Sequence, residues 1–245
     1  MALISQKGGT GKTTSAHNIG AGLSRRGCRV LIVDLDAQGS LTSISGASSE
    51  GLTSLELLRH KCTLKEAVQK VSGIDVIAAS EGLSVEGILT GTGREYRLRE
   101  ALRGLRGAYD YVILDCPPNL GILSINALTA ANSCIITTQA DTLSLQAVKQ
   151  IAETIEVIRK YTNKALSIKG LLITRYNGRA VLNREAAELL EVQAGTMGTK
   201  VFQTRIRDTV VIREAQAMRQ DVFTYAPRAN GTKDYEALIT EIMEG

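Results

Sequence analysis

The chain has 245 residues, 44% of them hydrophobic, which is enough for a buried core in one large domain or two small ones. Trp is absent and aromatics make up 4%, so the core must be built from Ile, Leu, Val and Ala, as in a parallel sheet covered by helices. Twenty-nine Lys and Arg against 25 Asp and Glu give a net charge of +4, which permits a nucleic-acid partner without demanding one. No apolar run approaches the ~20 residues of a membrane span and no signal peptide is visible, so the expected setting is the cytoplasm. The four cysteines, Cys28, Cys62, Cys116 and Cys134, lack the spacing of a zinc site or a disulfide framework. Cys28, Cys116 and Cys134 sit in or beside apolar runs and read as buried free thiols.

Ala2–Ser5 is the first strand-like run, and a glycine-rich loop follows it at once. A helix is expected over Lys12–Arg26, closed by Gly27. Further strands are expected at Arg29–Asp34, Asp75–Ala79, Tyr111–Asp115, Cys134–Thr138 and Gly170–Thr174, with weaker ones near Lys200–Gln203 and Val222–Tyr225. Thr63 and Glu66 form a capping box before a Val68/Val71 face. The other long helical patterns are Arg94–Arg106, Ser144–Tyr161, Ala180–Val192 and Lys233–Met243. This succession predicts an α/β fold: one domain over residues 1–245, with a mostly parallel, twisted β-sheet flanked by helices on both faces.

The segment Lys7-Gly8-Gly9-Thr10-Gly11-Lys12-Thr13-Thr14 carries the chemistry. Glycines let the backbone curl until its N–H groups point at phosphate oxygens. Lys12 reaches the β- and γ-phosphates, and the Thr13 hydroxyl can ligate Mg²⁺. A strand precedes the loop and a helix follows, so the positive helix N-terminus also faces the anion. The loop departs from the ordinary pattern GxxxxGK followed by Ser or Thr, because Gln6 stands where the first glycine belongs and Lys7 supplies a second lysine.

That pattern resembles the deviant Walker A loop of the ParA/MinD superfamily of P-loop ATPases, closest to the Soj-like partition ATPases. Leu31-Ile32-Val33-Asp34-Leu35-Asp36-Ala37-Gln38-Gly39 resembles the family's VDLDPQG segment, with Ala37 in place of proline. Tyr111-Val112-Ile113-Leu114-Asp115-Cys116-Pro117-Pro118 resembles its DCPP Walker B segment, and Tyr225-Ala226-Pro227-Arg228-Ala229-Asn230-Gly231 its YDPRSRG stretch. The weakest match lies between Ser45 and Arg106.

The resemblance implies ATP and Mg²⁺ as ligands, with Gly8, Gly9, Thr10, Gly11, Lys12, Thr13 and Thr14 around the phosphates. Lys7 would reach across a homodimer to the partner's nucleotide, adding positive charge as an arginine finger does. Asp36 would orient the attacking water, and Asp115, which closes a buried strand, would hold Mg²⁺ through water. Asp34 supports either the Mg²⁺ shell or the loop itself. Arg175, Asn177, Pro227 and Arg228 are the expected adenine contacts. Slow hydrolysis, stimulated by a ParB-type partner, is implied by the family alone.

In ParA proteins the ATP-bound dimer binds DNA without sequence preference through late basic residues. Lys200, Arg205, Arg207, Arg213 and Arg219 are the candidates here, although Asp208, Glu214 and Asp221 lie among them. Ile206–Ala215 stands where the family has IPRNVRLSEA, and the proline and two basic positions are not kept. Arg94, Arg97, Arg99, Arg103 and Arg106 form another basic run, either a second patch or a solvated face. A MinD-like membrane switch would need a basic amphipathic tail, and the tail here is acidic on its polar side. The expectation is therefore a plasmid or chromosome partition ATPase that becomes nucleoid-associated with ATP and makes no membrane contact. No N-terminal helix-turn-helix domain is expected. A ParA-like ATPase positioning a protein cargo, or a MinD-like membrane-associated regulator, is the alternative.

Overall fold

A computed structural model describes residues 1–85, 89–105 and 107–244. In chain order the elements are β1 (Ala2–Ile4), α1 (Lys12–Arg25), β2 (Val30–Asp34), α2 (Ser40–Ser45), α3 (Ser54–Leu58), α4 (Leu64–Ala67), β3 (Val68–Val71) and β4 (Ile74–Ile77). They continue with α5 (Arg97–Ala101), β5 (Tyr111–Asp115), α6 (Ile122–Ala130), β6 (Ser133–Gln139), α7 (Thr142–Tyr161), β7 (Ser167–Thr174), α8 (Val181–Thr196), α9 (Val210–Ala217), α10 (Val222–Tyr225) and α11 (Asn230–Glu244). The seven strands form one sheet in the order β3-β4-β2-β5-β1-β6-β7. Every pairing is parallel except that of β3 with β4 at the edge.

The aliphatic strands are buried on both faces because alternate side chains serve different cores. Ala2, Ile4, Leu31 and Val33 pack into one cluster with α3, α6, α7 and α8. Leu3, Val30 and Ile32 pack into the other, beneath α1 and the C-terminal helices. A side chain at Gly22 of α1 would collide with Ile239 of α11, so this glycine sets how closely the two helices pack.

Three local expectations are corrected. Val222–Tyr225 is a helical turn, α10, because Asp221 caps it by accepting from the Thr224 N–H. The Thr63/Glu66 capping box forms but drives only the single turn α4, after which Val68–Val71 enters the sheet as antiparallel β3. The Arg94–Arg106 pattern breaks into a 3₁₀ turn (Arg94–Tyr96), α5 and a second 3₁₀ turn (Leu102–Leu105), and Arg106 lies outside the described residues. Near Lys200–Gln203 only Val201 bridges to the sheet, at Leu171. Cys116 and Cys134 are buried free thiols as expected, while Cys28 and Cys62 are half-buried.

Candidate nucleotide site

The parallel strands bring their C-terminal ends to one edge of the sheet, the place where open α/β folds bind ligands. The loop after β1 sits there between β5 and β6. Gly9 (φ 76°) and Gly11 (φ 69°) take left-handed conformations, which bulkier residues adopt only under strain. Gly11 caps α1, so the N–H groups of the first helical turn, Lys12 included, open toward the loop. The loop is pinned from below. Thr10 Oγ1 donates to Ser5 Oγ at 2.9 Å, Thr174 Oγ1 donates to the Thr10 carbonyl at 2.6 Å, and Gln139 Nε2 donates to the Gly9 carbonyl at 2.9 Å.

Lys12 and Asp115 form the floor. Lys12 Nζ lies 2.7 Å from Asp115 Oδ1, with side-chain exposures of 6% and 0%. Burial alone would lower the lysine pKa, but the adjacent Asp115 carboxylate outweighs it and raises it, while burial pushes the Asp115 carboxyl up. Asp115 Oδ2 is buried with no hydrogen-bond partner among the described residues. Such an oxygen, beside the Thr13 side chain, is a fit for a hard cation that prefers oxygen ligands.

Lys7 is placed differently. Its Nζ pairs with Asp141 Oδ2 at 2.7 Å on the rim, each side chain about a third exposed. Asp141 also caps α7 by accepting from the Ser144 N–H at 2.9 Å. Burial would raise the Asp141 pKa, but Lys7 and the Ser144 N–H together hold it below the ordinary carboxylate value. Beside the loop opens a cleft of about 270 Å³, walled by Thr174 and Arg175 on one side and by Ile206–Thr209, Ile212, Arg213 and Gln216 on the other. Gln216 Nε2 donates to Thr14 Oγ1 at 2.7 Å and so ties α9 to the loop.

A family model described as an AAA domain matches residues 1–168. The chain is 35% identical over 249 residues to the sporulation initiation inhibitor protein Soj of Bacillus subtilis, covering 99% of this chain and 97% of that protein. It is 36% identical over 251 residues to the chromosome partitioning protein ParA of Caulobacter vibrioides, covering 99% and 93%. The chain belongs to the ParA/MinD superfamily of P-loop ATPases, with the ParA/Soj proteins. The fold matches cobyrinic acid a,c-diamide synthase of Mycobacterium smegmatis, solved with an ATP analog and magnesium, at a TM-score of 0.85. That match is 33% identical and covers 99% of this chain and 93% of the other. ATP and Mg²⁺ are accordingly the ligands of this P-loop site.

Lys12 and Asp115 are brought together, and Gly9, Gly11 and Thr14 border the cleft beside them. Asp34 is completely buried, and both its oxygens are engaged: Oδ2 accepts from the Thr42 N–H and hydroxyl, and Oδ1 from the Asp36 N–H. This geometry is that of a loop anchor, which favours the loop role over direct metal ligation. Burial and the neighbouring Asp115 push its pKa up to about 7. Asp36 stands beyond it, half-buried, with Oδ1 accepting from the Gln38 N–H.

Of the four expected adenine contacts only Arg175 reaches the cleft; Asn177, Pro227 and Arg228 are not on its walls. Arg207 and Arg213, predicted as DNA contacts, line this cleft instead and are paired with Asp234 at 2.6 Å and Asp208 at 3.0 Å. Arg205 is held by Glu191 at 2.8 Å and by the Tyr176 hydroxyl at 2.7 Å. Lys200 and Arg219 are exposed. Asp141, Gln139 and Gln216 were not legible as site residues, because each acts through a tertiary contact more than 100 positions away in sequence.

Proposed function

We propose that this protein is an ATP-hydrolysing switch that dimerises on ATP, binds DNA without sequence preference, and drives plasmid or chromosome partition with a ParB-type partner. The observation that carries the reading is the position of Lys7. A second lysine of the phosphate loop stands on the rim, paired with Asp141 and partly exposed, apart from the buried Lys12–Asp115 pair, and this supports a role toward a nucleotide held by a second copy.

Thr13 and Asp115 would hold Mg²⁺, whose charge offsets that of the phosphates when bound. Asp34 fixes the β2–α2 loop, and that loop presents Asp36, the candidate for orienting the attacking water. Lys7 from the second copy would add positive charge where it develops on the phosphates, as an arginine finger does. ATP then completes the dimer interface and hydrolysis removes part of it, so slow, partner-stimulated turnover suits a switch. The names of the Soj and ParA relatives support the partition reading.

The alternatives are positioning of a protein cargo and a MinD-like membrane role. The polar side of α11 carries Asp234, Glu236, Glu241 and Glu244, which disfavours an anionic membrane. Among the described residues no helix is long and apolar enough to cross a membrane. The reading is tested by measuring binding to random-sequence duplex DNA with ATP, with ADP and without nucleotide. Binding with ATP alone, kept in Asp36→Ala and lost in Lys7→Ala, is expected. ATP-driven dimerisation with no DNA binding in any state would leave the switch standing and remove DNA as its track.

A further inference from the structure

The late arginines were the first candidates for a DNA surface, but three of them are already committed to carboxylates. A second group of cations is not. The exposed Arg99 of α5 donates from its guanidinium to the carbonyl of Thr162 at 3.2 Å, and the Tyr96 hydroxyl donates to the carbonyl of Tyr161 at 3.4 Å. These two bonds join the arginine-rich segment before β5 to the C-terminal end of α7. Arg99, Lys160 and Lys164 are thereby brought near one another, all exposed, and the exposed Arg103 follows one turn after Arg99, on the groove it lines with Glu100 and His60. None of the four has an ion-pair partner among the described residues. The nearby Glu100 faces His60 at 3.7 Å, and Glu156 is bound to Arg159. Tyr161 is 67% exposed between the lysines, with Lys160 Nζ 5.1 Å from its ring centre.

A helix C-terminus favours cations whatever its function. That effect accounts for Arg99 on the Thr162 carbonyl, and for Arg159 and Lys160 in the last turn. It does not account for Arg103 or Lys164, which have no carboxylate partner among the described residues. Four uncompensated cations on two segments match the repeating charge of a phosphate backbone. A bilayer would need an apolar face as well, and here only Val157 and Tyr161, one turn apart, are exposed.

We propose that this surface is the phosphate-backbone contact for duplex DNA, an inference that rests on the DNA-carried reading above. Its place in the fold fits the switch. The 20-residue α7 is capped by Asp141, the partner of Lys7, and ends at Tyr161, so it spans about 30 Å from the nucleotide edge to the patch. Two copies joined at their nucleotide edges would each keep a patch facing outward. ATP would then join two patches in one particle able to hold two segments of DNA, without any change in the patch itself.

The test is the salt dependence of binding to random-sequence duplex DNA with ATP, for the native chain and for the variant Arg99→Gln/Arg103→Gln/Lys160→Gln/Lys164→Gln. Each phosphate contact contributes about 0.9 to the slope of log affinity against log salt, so the slope should shrink by at least about 2 and affinity fall more than tenfold. The variant Lys160→Gln/Lys164→Gln touches no hydrogen bond of the fold and should give roughly half the effect, which guards against misfolding as the cause. Native binding matched by both variants would overturn this surface and leave the DNA reading intact. Absence of native binding in every nucleotide state would remove both. Binding to vesicles of anionic phospholipid in place of DNA would overturn the inference in favour of a membrane.

Discussion

The floor and the rim of the phosphate loop each hold one lysine and one aspartate at 2.7 Å, yet they are built for opposite purposes. On the floor, Lys12 and Asp115 are buried and cannot part without stranding a charge in a low-dielectric interior. On the rim, Lys7 and Asp141 are partly solvated, so water takes over when they separate and the pair contributes little to stability. A loop that must offer a cation to another molecule needs a resting partner that gives it up readily.

The largest expected break of this comparison is at the floor. Lys12→Ala should abolish measurable ATP binding and lower stability by about 3–5 kcal/mol in urea unfolding, because Asp115 is left buried and unpaired. Adding Asp115→Asn should recover most of the stability and none of the binding. Recovery of neither would mean that the floor pair is not the source of the loss.

Lys7→Ala should change stability by less than about 1 kcal/mol and ATP affinity by no more than a few-fold. An ATP titration that shows a large affinity loss would place Lys7 on its own nucleotide and erase the distinction between floor and rim. Asp141 sharpens the point, because it both holds Lys7 and caps α7. Asp141→Ala should cost about 1 kcal/mol, while Asp141→Asn should cost less, since Asn also caps. Equal losses in thermal unfolding would mean that the cap contributes nothing.

The pH dependence differs in sign between the two regions. Asp34, under the floor, has its pKa raised from 3.8 to about 7, so the folded chain binds that proton more tightly than the unfolded one. The corresponding stability is present below about pH 3.8 and is lost as pH rises through about 7. Asp141 on the rim is shifted downward, so its contribution is present above the unfolded value and is lost as pH falls. Unfolding of nucleotide-free protein at pH 5 and pH 8, native against Asp34→Asn, should show the first trend only in the native chain.

The sequence made the floor legible because its chemistry is local: a strand, a curled loop and a helix in immediate succession specify Gly8 to Thr14, and a carboxylate closing an aliphatic run marks Asp115. The sheet was legible for the same reason, since continuous Val, Ile and Leu runs have few other uses. The rim was half legible, because Lys7 stands out in the loop while its partner is 134 positions away. The late stretch was legible only in part. Arg207 and Arg213 look like free cations in one dimension, but folding brings Asp234 and Asp208 onto them and turns their segment into the wall of a cleft. Val222–Tyr225 has strand-forming residues, yet the Asp221 cap decides for a helical turn.

Whether Lys7 serves a second copy of the chain is decided by the molar mass in solution, by light scattering or sedimentation, with ATP and with ADP, for native protein, Asp36→Ala and Lys7→Ala. Native protein and Asp36→Ala should dimerise with ATP and stay monomeric with ADP, and Lys7→Ala should bind ATP yet remain a monomer. A Lys7→Ala protein that dimerises with ATP as the native chain does would contradict a role for Lys7 toward a second copy.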